Sequence, residues 1–322
     1  MIYLVPMRRD SINHVLVKER FLAIAAKLVY SKKYRVDIGE HVFHTIKYDL
    51  IYDRLIKDGL LTKDDFISPV PARWDDILLV HTEDYVQKLR NGTLSPLEIL
   101  RLELPYSKDL VDSSILCAGG TILTLRIALK EGVGLHLGGG FHHAFPDHGE
   151  GFCVLNDVAI GIKRIQTDRQ IQRALVIDCD LHHGNGTAQI FRDDENVFTF
   201  SIHQENNYPF FKPPSNLDIG LPDGVGDDEY LSKLAANIPK IIEEFKPDLI
   251  LYLAGADPYE DDQLGGLRLT MEGLRKRDEF VFGQASTHRV PVAVVLAGGY
   301  AHRSEDTVNI HCNTVKVFSG SL

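Results

Sequence analysis

The sequence predicts an α/β fold: one domain with a doubly wound, mostly parallel sheet and helices on both faces. Two observations carry that prediction. Helix-like and strand-like segments alternate along the 322 residues, with no internal repeat and no low-complexity linker. Several strand segments are unbroken apolar runs, namely ALVI at 174–177, DLILYLA at 248–254 and PVAVVLA at 291–297. Strands buried on both faces read this way, whereas a half-solvated sheet alternates.

Each element follows from local pattern. Phe21 to Tyr30 and Tyr48 to Asp58 read as helices, Asp75 to Val80 as a strand, and Glu83 to Arg90 as a helix. Asp112 to Glu131 is a long helix that tolerates Gly119 and Gly120. Gly134 to Leu137 is a strand, Asp157 to Gln166 a helix, and Ala174 to Asp178 a strand. A short helix at Gly186 to Phe191 precedes a strand at Val197 to Ile202. Glu229 to Glu244 is helical, Asp248 to Ala254 a strand, Thr270 to Ser286 a helix, and Val292 to Ala297 the last strand.

Composition excludes some function classes. Hydrophobic residues make up 44% of the chain and the net charge is −10, with no Lys/Arg-rich tract. A non-specific nucleic-acid binder needs a basic face, so direct nucleic-acid binding is not expected. The longest apolar runs have strand length, so no membrane span is expected, and Met1 to Asp10 has no apolar segment of a signal peptide. Four cysteines without CxxC pairing fit a reducing, cytoplasmic setting and give no Cys-based zinc site. Nothing in the chain fixes an oligomeric state.

Ligands of doubly wound sheets sit beyond the carboxyl ends of the strands. Unusual chemistry gathers there. The strand at 134–137 runs into Gly138-Gly139-Gly140-Phe141-His142-His143, and the strand at 174–178 into Asp178-Cys179-Asp180-Leu181-His182-His183-Gly184-Asn185. The strand at 248–254 runs into Gly255-Ala256-Asp257, and the last into Gly298-Gly299-Tyr300. Asp180 and His182, two apart on an extended segment, point the same way. One carboxylate and one imidazole suit a divalent ion, and Asp257 offers a third ligand while leaving a position open. The triple glycine permits a turn that brings both His142 and His143 to a cleft. A histidine there can move protons, and each ring needs an orienting acceptor, for which Asp178 and Asn185 are the candidates. Tyr300 is placed to hydrogen-bond a developing oxyanion or, alternatively, to pack as an aromatic residue. Phe152, after Gly151, either lines a channel or belongs to the core.

These residues, in this order, resemble the histone deacetylase and acetylpolyamine amidohydrolase superfamily over about residues 35 to 315. The resemblance rests on GGGFHHA (138–144), GEGFCVLND (149–157), IDCDLHHGNG (177–186), LAGADP (253–258) and AGGY (297–300). HVFHTIKYDLIYDRLIKDGLL (41–61) and DQLGGLRLTMEGLRKRDEFVF (262–282) are similar to class IV members in particular. The resemblance implies an arginase/deacetylase-like fold and zinc-dependent removal of acetyl or longer fatty acyl groups from lysine side chains or related amines. It implies Asp180, His182 and Asp257 as metal ligands, with Fe2+ a possible substitute for Zn2+ because such a donor set is not selective. His142 and His143 become the active-site pair, with Asp178 and Asn185 as partners and Tyr300 polarising the carbonyl. Carbonyls of Asp178, Asp180, His182, Ser201 and Ile202 would hold a structural K+, and Gly151, Phe152 and Tyr208 would wall the substrate channel. The resemblance also implies an acidic rim residue, with which class I members grip the substrate backbone; it has no assigned position, and Glu103-Leu104-Pro105 lies in the corresponding region.

Three other readings stand beside it. The first is a non-catalytic acyl-lysine-binding module, and the second an acetylpolyamine or small-metabolite deacetylase. The third, a binuclear ureohydrolase, needs an extra carboxylate where His183-Gly184 stands. The glycine run is not a dinucleotide-binding G-x-G-x-x-G.

Overall fold

The structure, a computed structural model, describes residues 27–320. Among these, eight strands form one sheet: β1 (Leu28–Val29), β2 (Phe66–Ile67), β3 (Val133–His136), β4 (Ala174–Asp178), β5 (Val197–Gln204), β6 (Leu217–Leu221), β7 (Leu249–Leu253) and β8 (Val292–Val295). Their order is β2-β1-β3-β8-β7-β4-β5-β6, and every pair is parallel. The apolar strands β3, β4, β7 and β8 occupy the centre and are buried throughout. Those four strands are neighbours in the order β3-β8-β7-β4, so their carboxyl ends open side by side.

Helices cover both faces and begin where the sequence supplies caps. The Ser107 hydroxyl accepts from Leu110 N and starts the helix Lys108–Glu131, which Gly132 ends. Asn156 accepts from Ala159 N and starts Asp157–Thr167. Lys108–Glu131 corrects one expectation, because by length and composition it is apolar enough to cross a membrane. It packs against β3 and Asp157–Thr167, and 67% of its apolar window is buried, as in a core helix.

Other boundaries also moved. Of the helix expected at 21–30, residues 21–26 lie outside the described residues. Leu28 and Val29 form a strand instead, fully buried between β2 and β3. The strand expected at 75–80 is a helical turn, Trp74–Ile77. There the Asp76 carboxylate accepts from Arg73 N and caps the turn, while its other oxygen pairs with Arg164. Local capping outweighs the β-like run ILLV. The short strands β1, β2 and β6 and the helices Pro96–Leu102 and Ser304–Ser319 were not anticipated.

Candidate active site

The turn after β3 is the first component. Gly139 and Gly140 adopt φ of 72° and 86°, and a Cβ on Gly140 would lie 2.6 Å from the Ala297 Cβ. The buried Asp157 carboxylate accepts from Gly140 N at 3.1 Å and Phe141 N at 2.7 Å, which fixes the turn. His142 and His143 emerge from it side by side, rings 4.1 Å apart and both buried.

Their partners differ in charge. His142 Nδ1 lies 2.7 Å from Asp178 Oδ2, and His143 Nδ1 lies 2.7 Å from Asn185 Oδ1. Burial opposes a charge on His142, but the carboxylates of Asp178 and Asp180 outweigh it and push its pKa up to about 9. Burial lowers His143 well below the ordinary imidazole range, and the neighbouring His142 and His182 lower it further. The two Nε2 atoms lie 3.1 Å apart and belong to rings of different basicity. One imidazole is thus an acid and its neighbour a base at neutral pH.

Asp180, His182 and Asp257 converge from the ends of β4 and β7. His182 Nδ1 stands 3.2 Å from Asp180 Oδ1 and 3.3 Å from Asp257 Oδ2. Donors about 2.0–2.1 Å from a tetrahedral zinc stand roughly 3.3 Å from one another. Asp257 Oδ2 is buried without a hydrogen-bond partner, and a Cβ on Gly298 would come within 2.0 Å of it. The donor set and the orphaned oxygen therefore fit a divalent ion. Burial opposes a proton on His182, yet Asp180 and Asp257 raise its pKa to about 10. The same negative field would hold a metal cation, which would have to displace that proton.

Tyr300 lines the same cavity of about 180 Å3, together with Asp180, His182, both histidines and Gly298. Its backbone N–H donates to Asp262 Oδ2 at 2.7 Å. Burial, with Asp257 and Asp180 nearby, raises the phenol pKa well above its ordinary value, so it stays a donor. Phe152 forms one wall, stacked on Phe43 at 6.1 Å, with the positive-φ Gly151 beside it. Tyr208 forms the other, its ring 5.1 Å from His143. Glu103 also lines the cavity, while its carbonyl accepts from or faces His41 Nε2 at 3.1 Å. Asp178 pairs with Ser201 in the sheet register, so Asp178, Asp180, His182, Ser201 and Ile202 lie on adjoining chain segments.

Sequence reasoning missed three contributors. Lys47 is buried and donates to Ala297 O at 2.9 Å, with Phe43, Tyr48 and Tyr300 rings around its ammonium. Burial lowers its pKa to about 8, against the pull of Asp257, Asp180 and Asp262. Glu150 accepts from Asn185 Nδ2 at 2.6 Å, which orients the amide that faces His143. Asp262 holds the Tyr300 backbone. Glu150 stood inside GEGF and Asp262 beside QLGG, but neither carries a spacing that announces its partner.

The chain matches the histone deacetylase domain family over residues 41–315. It belongs to that family. The family's enzymes are deacetylase hydrolases, generally zinc-dependent, acting on acylated lysines or related amines. An uncharacterized protein of Picosynechococcus sp. is 43% identical over 287 residues, 88% of this chain and 95% of that protein. Histone deacetylase 2 of Arabidopsis thaliana is 30% identical across 86% of this chain and 75% of its own length. Acetoin utilization protein AcuC of Staphylococcus aureus is 31% identical across 84% and 76%. Among solved structures, a histone deacetylase homologue complexed with SAHA superposes with a TM-score of 0.78 at 25% identity, covering 92% of this chain and 84% of that one. The HDA15 HD domain superposes with a TM-score of 0.76 at 21% identity, covering 92% of this chain and 89% of that one, and supports the fold.

Proposed function

We propose that this family member is a zinc-dependent deacylase of the class IV branch, removing acetyl or longer fatty acyl groups from lysine side chains or related amines. The observation that carries the reading is the convergence of Asp180, His182 and Asp257 beside a charge-differentiated histidine pair, at a cavity lined by Asp180, His182 and both histidines. The class IV assignment rests on the 41–61 and 262–282 segments. Asp180, His182 and Asp257 would hold a zinc ion, which would supply Lewis-acid polarisation of the scissile carbonyl and of water; Fe2+ would serve in the same donor set.

The chain's own groups do the rest. Neutral His143 takes a proton from water at its Nε2, while Asn185 fixes the ring through Nδ1. The protonated His143 then delivers that proton to the departing amine nitrogen. His142, held cationic by Asp178, keeps His143 from holding the proton too tightly. Tyr300 donates a hydrogen bond to the oxygen on which negative charge develops. Gly151, Phe152 and Tyr208 enclose the acyl-amine stem and exclude water. A K+ ion on the carbonyls of Asp178, Asp180, His182, Ser201 and Ile202 is part of the proposal. So is a cytoplasmic location, supported by four free, buried cysteines.

The test is a panel of acyl-lysine peptides graded by chain length, beside acetylpolyamines, assayed with the metal-loaded protein and after chelation. Chelator-sensitive release of free acid supports the reading. Binding of acyl-lysine without release would favour an acyl-lysine-binding module, and turnover of polyamines alone a small-amine deacetylase.

A further inference from the structure

A second group of metal-ligating side chains lies outside this cavity. His183 follows His182 in the bend after β4, and its side chain engages a different set of partners. Its ring meets His203 and Asp218, away from the catalytic cluster. The two imidazoles stand 4.7 Å apart and nearly perpendicular, at 80°. His183 Nε2 is 3.1 Å from Asp218 Oδ1 and 3.4 Å from Ser215 Oγ. Ser201 Oγ engages His203 Nδ1 at 2.9 Å, which fixes that ring and leaves its Nε2 for ligation. Ser215 N donates to Asp218 Oδ2 at 2.8 Å and leaves Oδ1 toward the imidazoles.

One donor atom from each of His183, His203 and Asp218 falls within 4.8 Å of the others. The 3.1 Å spacing of His183 and Asp218 again approaches the roughly 3.3 Å edge of a tetrahedral zinc site. Both histidines are buried and Asp218 reaches the surface, which gives a cation a way in. Lys212, the nearest ammonium on the intervening loop, donates to the carbonyls of Asn207 and Pro209 and leaves the Asp218 carboxylate free of it.

We propose that His183, His203 and Asp218 form a second divalent-cation site of borderline type, taking Zn2+ or Co2+, with Ser215 or water completing the shell. The site has a structural consequence. His203 lies near the end of β5 and Asp218 in β6, and the loop of residues 205–216 between them carries Tyr208. A cation there ties together both ends of the loop that walls the substrate cavity.

The experiment is a Co2+ titration of the metal-free full-length chain, read as cobalt retained after desalting and as visible absorption of the bound ion. The wild type is expected to retain two equivalents per chain. Asp180→Asn removes a ligand of the catalytic triad and should retain one. Asp218→Ala should also retain one, and the double variant none. His203→Gln, checked by circular dichroism, repeats the Asp218→Ala result should that variant fold poorly. The proposal is overturned if Asp180→Asn retains no cobalt, or if Asp218→Ala and His203→Gln both retain the wild-type number. In that case the cluster is a hydrogen-bond network alone. A wild-type count in Asp180→Asn with one equivalent lost in Asp218→Ala would support this site and count against the catalytic one.

Discussion

The floor and the mouth of the cavity are built on different principles. At the floor, the buried histidine pair is held by a second set of groups: His142 by Asp178, His143 by Asn185, and Asn185 in turn by Glu150. At the mouth, Phe152 meets Phe43, His41 and Tyr300 through ring contacts, and Phe210 and Phe211 beyond Tyr208 are exposed. Directional, charge-bearing contacts at the floor fix geometry to within a hydrogen bond, whereas dispersion contacts at the mouth tolerate shape change. Chemistry should therefore respond steeply to floor substitutions, and substrate choice gradually to mouth substitutions.

The largest expected effect is at the triad. Asp257→Asn should reduce acyl release to the background rate and lower zinc retained after desalting; full activity in this variant would break the contrast at once. His143→Ala should cost about 10²–10⁴ in kcat while the metal content of the triad stays unchanged. Tyr300→Phe should cost about 10²–10³ in kcat with little change in KM, because its hydrogen bond matters most as charge develops. An unchanged kcat would return Tyr300 to the role of a packing aromatic.

The pH profile sharpens the difference between the two histidines. His143 must be unprotonated to accept a proton, and its pKa lies well below the ordinary imidazole value. The acid limb that belongs to His143 should therefore lie below pH 6.5. Asn185→Asp replaces a neutral partner with a charged one, favours the imidazolium, and should move the acid limb of kcat/KM to higher pH. An acid limb that does not move would show that Asn185 does not govern His143.

The floor was legible in the sequence because strand ends are marked twice, by an apolar run and by the polar residues that interrupt it. Asp180 and His182 share a face by spacing alone, and Asp257 follows another such run. The glycines of 138–140 announced a turn that the structure contains. Lys47 was illegible for a physical reason: it sits in an amphipathic helix as any surface lysine would, and only tertiary packing carries it to Ala297. Two-residue strands such as β1 and β2 have too few positions to show a period. The final helix, Ser304–Ser319, carries buried polar residues such as His311 and Thr314 that blur its apolar face.

The smallest effect belongs to the mouth, and it decides whether the contrast holds. Phe152→Ala removes one aromatic face from the cavity but leaves His143, Asn185 and the triad untouched, since Phe152 contacts Phe43, His41 and Tyr300. The lost apolar contact with a substrate stem should be worth about 1–2 kcal/mol, which is about 5- to 30-fold in KM. Uniform binding of ground state and transition state predicts that kcat stays near wild type. The loss should grow with acyl chain length if Phe152 contacts the acyl group and stay constant if it contacts only the amine stem. A kcat decrease as large as that of Tyr300→Phe would instead mean that Phe152 positions the phenol through their edge contact at 6.0 Å, and that the mouth shares in the chemistry.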